Sequence, residues 1–164
     1  MIVNILKRLS ATQAPRSVVL IRVMVGAVFL SEGIQKFLFP EADGVGRFLR
    51  MGIPSPEIMA PFVGVLEIVC GLMILTGFLT RLATLPLLVV IGVAITATKI
   101  PVMLGHEFWR FSLPKLNQYG FWSMAHEGRA DFSMLVGLLF LLIAGAGPWA
   151  FDARLSHPMN KPKQ

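Results

Sequence analysis

The sequence predicts an all-α fold, an antiparallel bundle of four transmembrane helices, and three observations carry that reading. Hydrophobic residues make up 55% of the chain and charged residues only 15%, with a mean hydropathy of +0.70. A soluble domain carries about 25% charged residues, because its surface must be covered with polar groups. Four apolar runs come close to the ~20 residues needed to cross hydrocarbon. Basic residues cluster outside the first and last of those runs, where anionic headgroups would sit. In lipid each backbone N–H and C=O must find its partner within the segment, so helices are the economical solution. A length of 164 residues suits one domain.

The first span is 17–38, from Ser17 to Leu38, and Phe39-Pro40 stops it. A basic tail over 1–16 precedes it, with Lys7, Arg8 and Arg16. The span does not read as a cleaved signal peptide: it carries Arg22, Glu32 and Lys36 and lacks a small-x-small cleavage site. The second span is 57–78. Ser55-Pro56-Glu57 ahead of it predicts an N-cap with proline at the first helical position, and Pro61 predicts a kink. Leu79-Thr80-Arg81 leaves room only for a tight antiparallel turn into the third span, 82–100, which Pro101 ends. The fourth span, 131–147, opens at Asp131 and closes at Gly147-Pro148. The membrane domain thus covers 17–155, and a second basic tail occupies 156–164. Gly26, Gly33, Gly64, Gly71 and Gly92 suit close helix packing, although no GxxxG occurs.

The loops after spans one and three are far longer than the roughly 2–8 residues usual in bundles, and both emerge on one side of the membrane. The later loop holds Phe108, Trp109, Phe111, Tyr119, Phe121 and Trp122. Such a set reads either as an interfacial aromatic belt or as a lid over a site. Basic residues near the span ends favour cytoplasmic termini, with the long loops facing the periplasm or the cell exterior.

Several functions are excluded or disfavoured. The formal charge of +6 invites a nucleic-acid reading, but no basic helix face or aromatic-basic platform accompanies it, so no nucleic-acid partner is expected. Cys70 is the only cysteine, which excludes an intramolecular disulfide and CxxC thiol exchange. His106 and His126 lack the spacing or the cysteine neighbours of a metal or haem site, so no metal is expected. No flavin or iron–sulfur motif is present either.

Ionisable residues inside spans are costly and face the bundle interior. Glu32 and Lys36 lie near the end of span one, and Glu67 lies about 9 Å into span two at ~1.5 Å per residue. Lys99 closes span three and Asp131 opens span four. In an up-down-up-down bundle all five fall in the half of the membrane beneath the long loops. Arg22 shares a helix sector of roughly 80° with Glu32 and Lys36 but lies about 21 Å along the helix from Lys36. Three carboxylates against two ammonium groups nearly neutralise one another, as a buried network requires. Two accounts stand: ion pairs that pin the helix register, or a polar cavity that binds a small headgroup or moves protons.

The residues RVMVGAVFLSEGIQK (Arg22 to Lys36), GIP (Gly52 to Pro54) and FVGVLEIVCGLMILTGFLTRLATLPLL (Phe62 to Leu88) resemble the DoxX family of small bacterial membrane proteins. Thr98-Lys99, Ala130-Asp131-Phe132 and GAGPW at Gly145 to Trp149 continue the likeness. The resemblance implies a four-helix inner-membrane protein, in some members a subunit of quinone-linked oxidation or of an oxidative-stress system. Its recurrent polar positions match Arg22, Lys36, Glu67, Lys99 and Asp131. The loop from Val102 to Ala130 departs from the pattern. On this reading a quinone is the candidate cofactor. Glu67 and Asp131 are the candidate catalytic proton carriers, and Arg22, Glu32, Lys36 and Lys99 the candidate binding residues. The lipid bilayer and a protein partner or second copy are the expected partners. The competing readings are a non-catalytic scaffold or assembly partner and, third, a small transporter or proton pathway.

Overall fold

A computed structural model describes residues 14–156; most of the two basic tails, with Lys7, Arg8, Lys161 and Lys163, lies outside the described residues. Among the described residues the chain is helical, with no strand. Seven helices follow one another: α1 (Val18–Leu38), α2 (Val45–Arg50), α3 (Pro56–Thr76), α4 (Thr80–Leu104), α5 (Phe121–Glu127), α6 (Arg129–Ala144) and α7 (Phe151–Ser156). Three of them, α1, α3 and α4, are long and apolar enough to cross a membrane, at 21, 21 and 25 residues.

The apolar run assigned to a fourth span is helical but shorter than expected. It covers 16 residues as α6, beginning at Arg129 and ending at Ala144. At ~1.5 Å per residue it measures about 24 Å, against roughly 30 Å of hydrocarbon. Gly145 stops it at φ 81°, a conformation that favours glycine. The third span also departs from expectation, passing through Pro101 to Leu104. The stop comes from Gly105 at φ 73°, whose N–H donates to the Pro101 carbonyl at 2.8 Å. Ser55 does precede Pro56 at the start of α3, but its side chain makes no capping bond and its φ of 50° puts it in the left-handed region. The turn into α4 is Gly77-Phe78-Leu79 rather than Leu79-Thr80-Arg81, so α4 starts at Thr80. The two long loops hold α2 and α5, six and seven residues long, too short for apolar periodicity to reveal them.

Glycines set the distance between α1 and α3. A Cβ at Gly33 would lie 2.7 Å from the Gly64 carbonyl oxygen, and one at Gly26 would lie 2.9 Å from that of Gly71. The pairs are seven residues apart on each helix, so two backbone contacts stack along one antiparallel seam. On α6, Gly137 lets Val25 of α1 approach: a Cβ there would meet the valine Cγ2 at 2.6 Å. The four longest helices meet in one core, with Val25 and Phe29 of α1, Ile74 of α3, Leu87 and Ile91 of α4, and Leu138 and Leu141 of α6. The outward faces are apolar as well. Leu20 is 69% exposed, Val89 67% and Ile143 77%, a pattern that suits lipid rather than water.

Candidate functional site

The polar residues beneath the long loops sort into two ion pairs, one for each pair of helices. On the α1–α3 side the Gly33–Gly64 contact brings the backbones together just below Lys36. Its Nζ lies 2.6 Å from Glu67 Oε2, and the two side chains are only 7% and 5% exposed. The same ammonium donates a longer bond, 3.4 Å, to the Glu32 carbonyl one turn back. The Glu32 carboxylate is half-buried and makes no ion pair among the described residues.

On the α4–α6 side Lys99 Nζ lies 3.1 Å from Asp131 Oδ2, with side chains 14% and 25% exposed. The lysine stem runs beside the α5–α6 junction, where a Cβ at Gly128 would come 3.7 Å from Lys99 Cγ. Among the described residues no hydrogen bond or ion pair joins the two pairs. The cluster is therefore two self-neutralising units rather than one network. Removing either member of a pair leaves an uncompensated charge in a poorly solvated place, which is the costly way to break such a unit.

A cavity of about 700 Å³ lies beside the second pair. Thr98, Lys99 and Val102 of α4 line one wall, Arg47, Arg50 and Met51 a second, and Ser112 to Leu116 with Glu127 the rest. The two long loops line it together. Ser112 donates its N–H to the Met51 carbonyl at 3.4 Å, and Gly120 donates to Val102 at 2.9 Å, which ties the later loop to the end of α4. Gly52, at φ 78°, packs so tightly on Arg110 that no side chain would fit there.

Arg22 does not join this cluster. It is 2% exposed and lies toward the other end of α1, where its guanidinium donates to four backbone carbonyls. Nε bonds Ile74 at 3.0 Å and Nη2 bonds Leu75 at 2.6 Å, both in the last turn of α3. Nη1 bonds Ala146 at 3.2 Å and Trp149 at 2.8 Å, in the segment that follows α6. The guanidinium thus joins the C-terminal end of α3, where the Ile74 carbonyl also accepts the Gly77 N–H at 3.1 Å, to the segment between α6 and α7. The roughly 21 Å between Arg22 and Lys36 along α1 already set Arg22 apart from the other five; its carbonyl partners were not legible in the sequence.

Asp152, absent from the candidate residues read from the sequence, is 1% exposed at the same end. Its Oδ1 accepts the Leu79 N–H at 2.7 Å and its Oδ2 accepts the Thr80 N–H at 3.0 Å, so α7 supplies the N-terminal cap of α4. A lone acid in an otherwise basic C-terminal stretch was the available signal. Asp152→Ala is expected to lower stability by about 1–2 kcal/mol, as loss of a buried cap does. Thermal unfolding in detergent checks it, and a midpoint matching wild type would show that the cap contributes nothing. Cys70 is a free, buried core residue. Among the described residues no three His, Cys, Asp or Glu side chains converge on a possible metal.

Three membrane-length helices, an apolar exterior and ion pairs held inside the packed helices define a helical membrane protein. Residues 17–100 match the DoxX family. The chain also resembles the uncharacterized membrane protein Rv3486 of Mycobacterium tuberculosis, at 50% identity over 149 residues, 91% of this chain and 87% of that protein. It resembles the inner membrane protein YphA of Escherichia coli at 28% identity over 147 residues, 86% of this chain and 93% of that one. No solved structure matches the chain. The protein belongs to the DoxX family.

Proposed function

We propose that this protein is a four-span subunit of an inner-membrane redox system, working with membrane quinone and a protein partner, its long loops outside and its termini cytoplasmic. The observation that carries the reading is the nearly dry Lys36–Glu67 pair. Glycine contacts already interlock α1 and α3, so a charged pair is not needed to hold them in register. Intramembrane ionisable residues without a structural necessity mark proton or substrate sites. α6 supports a fourth span: Met134, Leu138 and Leu141 are buried in the core while Phe132, Val136 and Ile143 face outward. The likeness to an inner membrane protein of Escherichia coli supports the location.

The residues present fit a quinone headgroup. The cavity beside Lys99 falls within the roughly 300–1,000 Å³ of small-molecule sites, and it combines apolar Val102 with polar Thr98 and Lys99. A quinone, when bound, supplies two-electron, two-proton redox chemistry. The Lys99 ammonium donates to a carbonyl oxygen placed at this wall. Asp131, already paired to Lys99, holds that ammonium in position and accepts or returns a proton at Oδ2. Glu67 and Lys36 do not line this cavity; they form a second pair whose low exposure would keep a proton held at Glu67 Oε2 away from bulk water. No flavin or haem motif is present in the sequence, so electrons come from the partner or the substrate, which is why the protein is read as a subunit.

Saturable binding of a quinone analogue to purified protein tests this reading, with Glu67→Gln and Lys99→Met beside wild type. Binding lost by at least tenfold in both variants, with folding intact, is the expected result. Equal binding in all three proteins would remove the ion pairs from the role. A scaffold is the second reading, favoured by Trp109 and Trp122, 83% and 82% exposed on the loop side. If deleting 106–126 abolishes co-purification of a partner while quinone binding is absent in wild type, the scaffold reading replaces the first.

A further inference from the structure

The outer part of the loop-lined cavity carries a charge that neither ion pair explains. Four cations line it, Arg47, Arg50, Lys99 and Lys115, against one carboxylate, Glu127. Lys99 is committed to Asp131 and is the most buried of the four. The other three belong to the rim. Arg47 holds Asp43 only loosely, at 3.8 Å, with both side chains partly exposed. Arg50 uses Nη1 and Nη2 on the Glu41 and Ala42 carbonyls at 2.9 and 2.8 Å, bonds that fix the guanidinium without neutralising it. Lys115 is exposed and has no hydrogen bond or ion pair among the described residues.

These cations come from separate parts of the chain. α2 supplies Arg47 and Arg50, and the later loop supplies Lys115. The bonds that stitch the loops together are what bring them to one cavity. Three cations converge there against Glu127 and the loosely held Asp43, an excess of positive charge that favours an anion at the rim. Ser112 adds a hydroxyl to the same wall, and Arg guanidinium planes match the oxygens of a phosphate. The site also stands where a membrane phospholipid presents its headgroup: it lies at the end of the membrane-length helix α4, with Leu49 66% exposed and Met103 41% exposed nearby in the chain. Basic pockets between membrane helices and their loops bind anionic lipid headgroups by this combination.

We infer that the rim formed by Arg47, Arg50 and Lys115 is a binding site for a phosphate-ester anion, the headgroup of an anionic phospholipid or free phosphate. The site adjoins the proposed quinone wall but does not depend on it, since its cations are not members of either ion pair. Full-length protein in nanodiscs of phosphatidylcholine with graded phosphatidylglycerol provides the test, with lipid retention read by native mass spectrometry after release. Wild type is expected to retain phosphatidylglycerol over phosphatidylcholine. Arg47→Gln and Lys115→Gln are each expected to reduce that preference roughly fivefold, the effect of one basic residue near an anionic surface. Both variants should unfold at wild-type temperature, and Glu67→Gln, whose carboxylate does not line the cavity, should keep the phosphatidylglycerol preference, which separates this site from the proposed redox role.

Inorganic phosphate added in detergent distinguishes the two sources. Retention of the lipid unaffected by millimolar phosphate assigns the headgroup, and displacement by phosphate with equal sensitivity to both substitutions assigns the free anion. Two results would overturn the inference. One is no preference for phosphatidylglycerol together with no phosphate binding by wild type. The other is a preference that survives both substitutions, which would place the anion elsewhere on the protein.

Discussion

Gly33→Leu should be the most damaging single substitution on the α1–α3 seam, lowering stability by at least about 3 kcal/mol, the upper end of overpacking penalties. A Cβ at Gly33 already falls 2.7 Å from the Gly64 carbonyl oxygen and 2.9 Å from the Ile68 nitrogen. These are backbone atoms and cannot rotate away, so the helices themselves must separate. In lipid the loss is not offset by hydrophobic reburial, because helix association there depends on close van der Waals contact. Separation would also draw Lys36, one turn further along α1, away from Glu67. Gly92→Ala is the matched control. No atom lies within 4 Å of a Cβ at Gly92, so that substitution should be neutral or stabilise by up to about 1 kcal/mol through helix propensity. Thermal unfolding in one detergent reads both. Equal midpoints for Gly33→Leu and Gly92→Ala would refute a close-packed seam.

Arg22→Met should cost on the order of 3–5 kcal/mol, through four carbonyls rather than through any salt bridge. Methionine fills much of the space but donates nothing, so the ends of α3 and of the segment after α6 lose their shared donor. Buried carbonyls without partners are expensive in any low-dielectric setting. Arg22→Lys keeps the charge and should recover less than half of the loss, since one ammonium cannot span acceptors that a planar guanidinium bridges. Gly77 beside it is equally constrained: a Cβ there would meet Arg22 Cζ at 2.8 Å and Ala150 Cβ at 2.4 Å. The measurement is again thermal unfolding, with quinone-analogue binding as the second readout. Arg22→Met should bind the analogue normally at temperatures where it is folded, because Arg22 lies at the far end of α1 from Lys36. Loss of binding in a folded Arg22→Met protein would show that Arg22 belongs to the site after all.

The two variants act at opposite ends of α1, and the contrast marks a division of labour. Near Gly77, charged side chains are consumed by backbone: Arg22 on carbonyls, Asp152 on the N–H groups that open α4, and Arg81 on the Ile143 carbonyl at 2.9 Å in the last turn of α6. Those are structural assignments, and they close the ends of helices whose terminal backbone groups lack partners within the helix. Beneath the long loops, charged side chains meet one another or line a cavity. Among the described residues, that is where charged side chains line a cavity.

Much of this was legible in the sequence, and the reasons are physical. Apolar run length and low charge establish membrane helices directly, because the thickness of hydrocarbon sets the length of the segment that crosses it. The cost of intramembrane charge singled out Lys36, Glu67, Lys99 and Asp131 without any structure. The small residues Gly26, Gly33, Gly64 and Gly71 marked faces suited to close helix packing. What only the tertiary structure decided was who meets whom. Periodicity along one helix cannot tell which neighbour a face will touch. So it could not separate one polar network from two ion pairs, nor show which carbonyls Arg22 meets. Asp152 and the Arg47–Arg50–Lys115 rim are contacts between elements far apart in the chain, made by short helices that carry too few residues to show a pattern. Backbone approach at glycines and the stitching of two loops created them, and both are properties of packing rather than of any single segment.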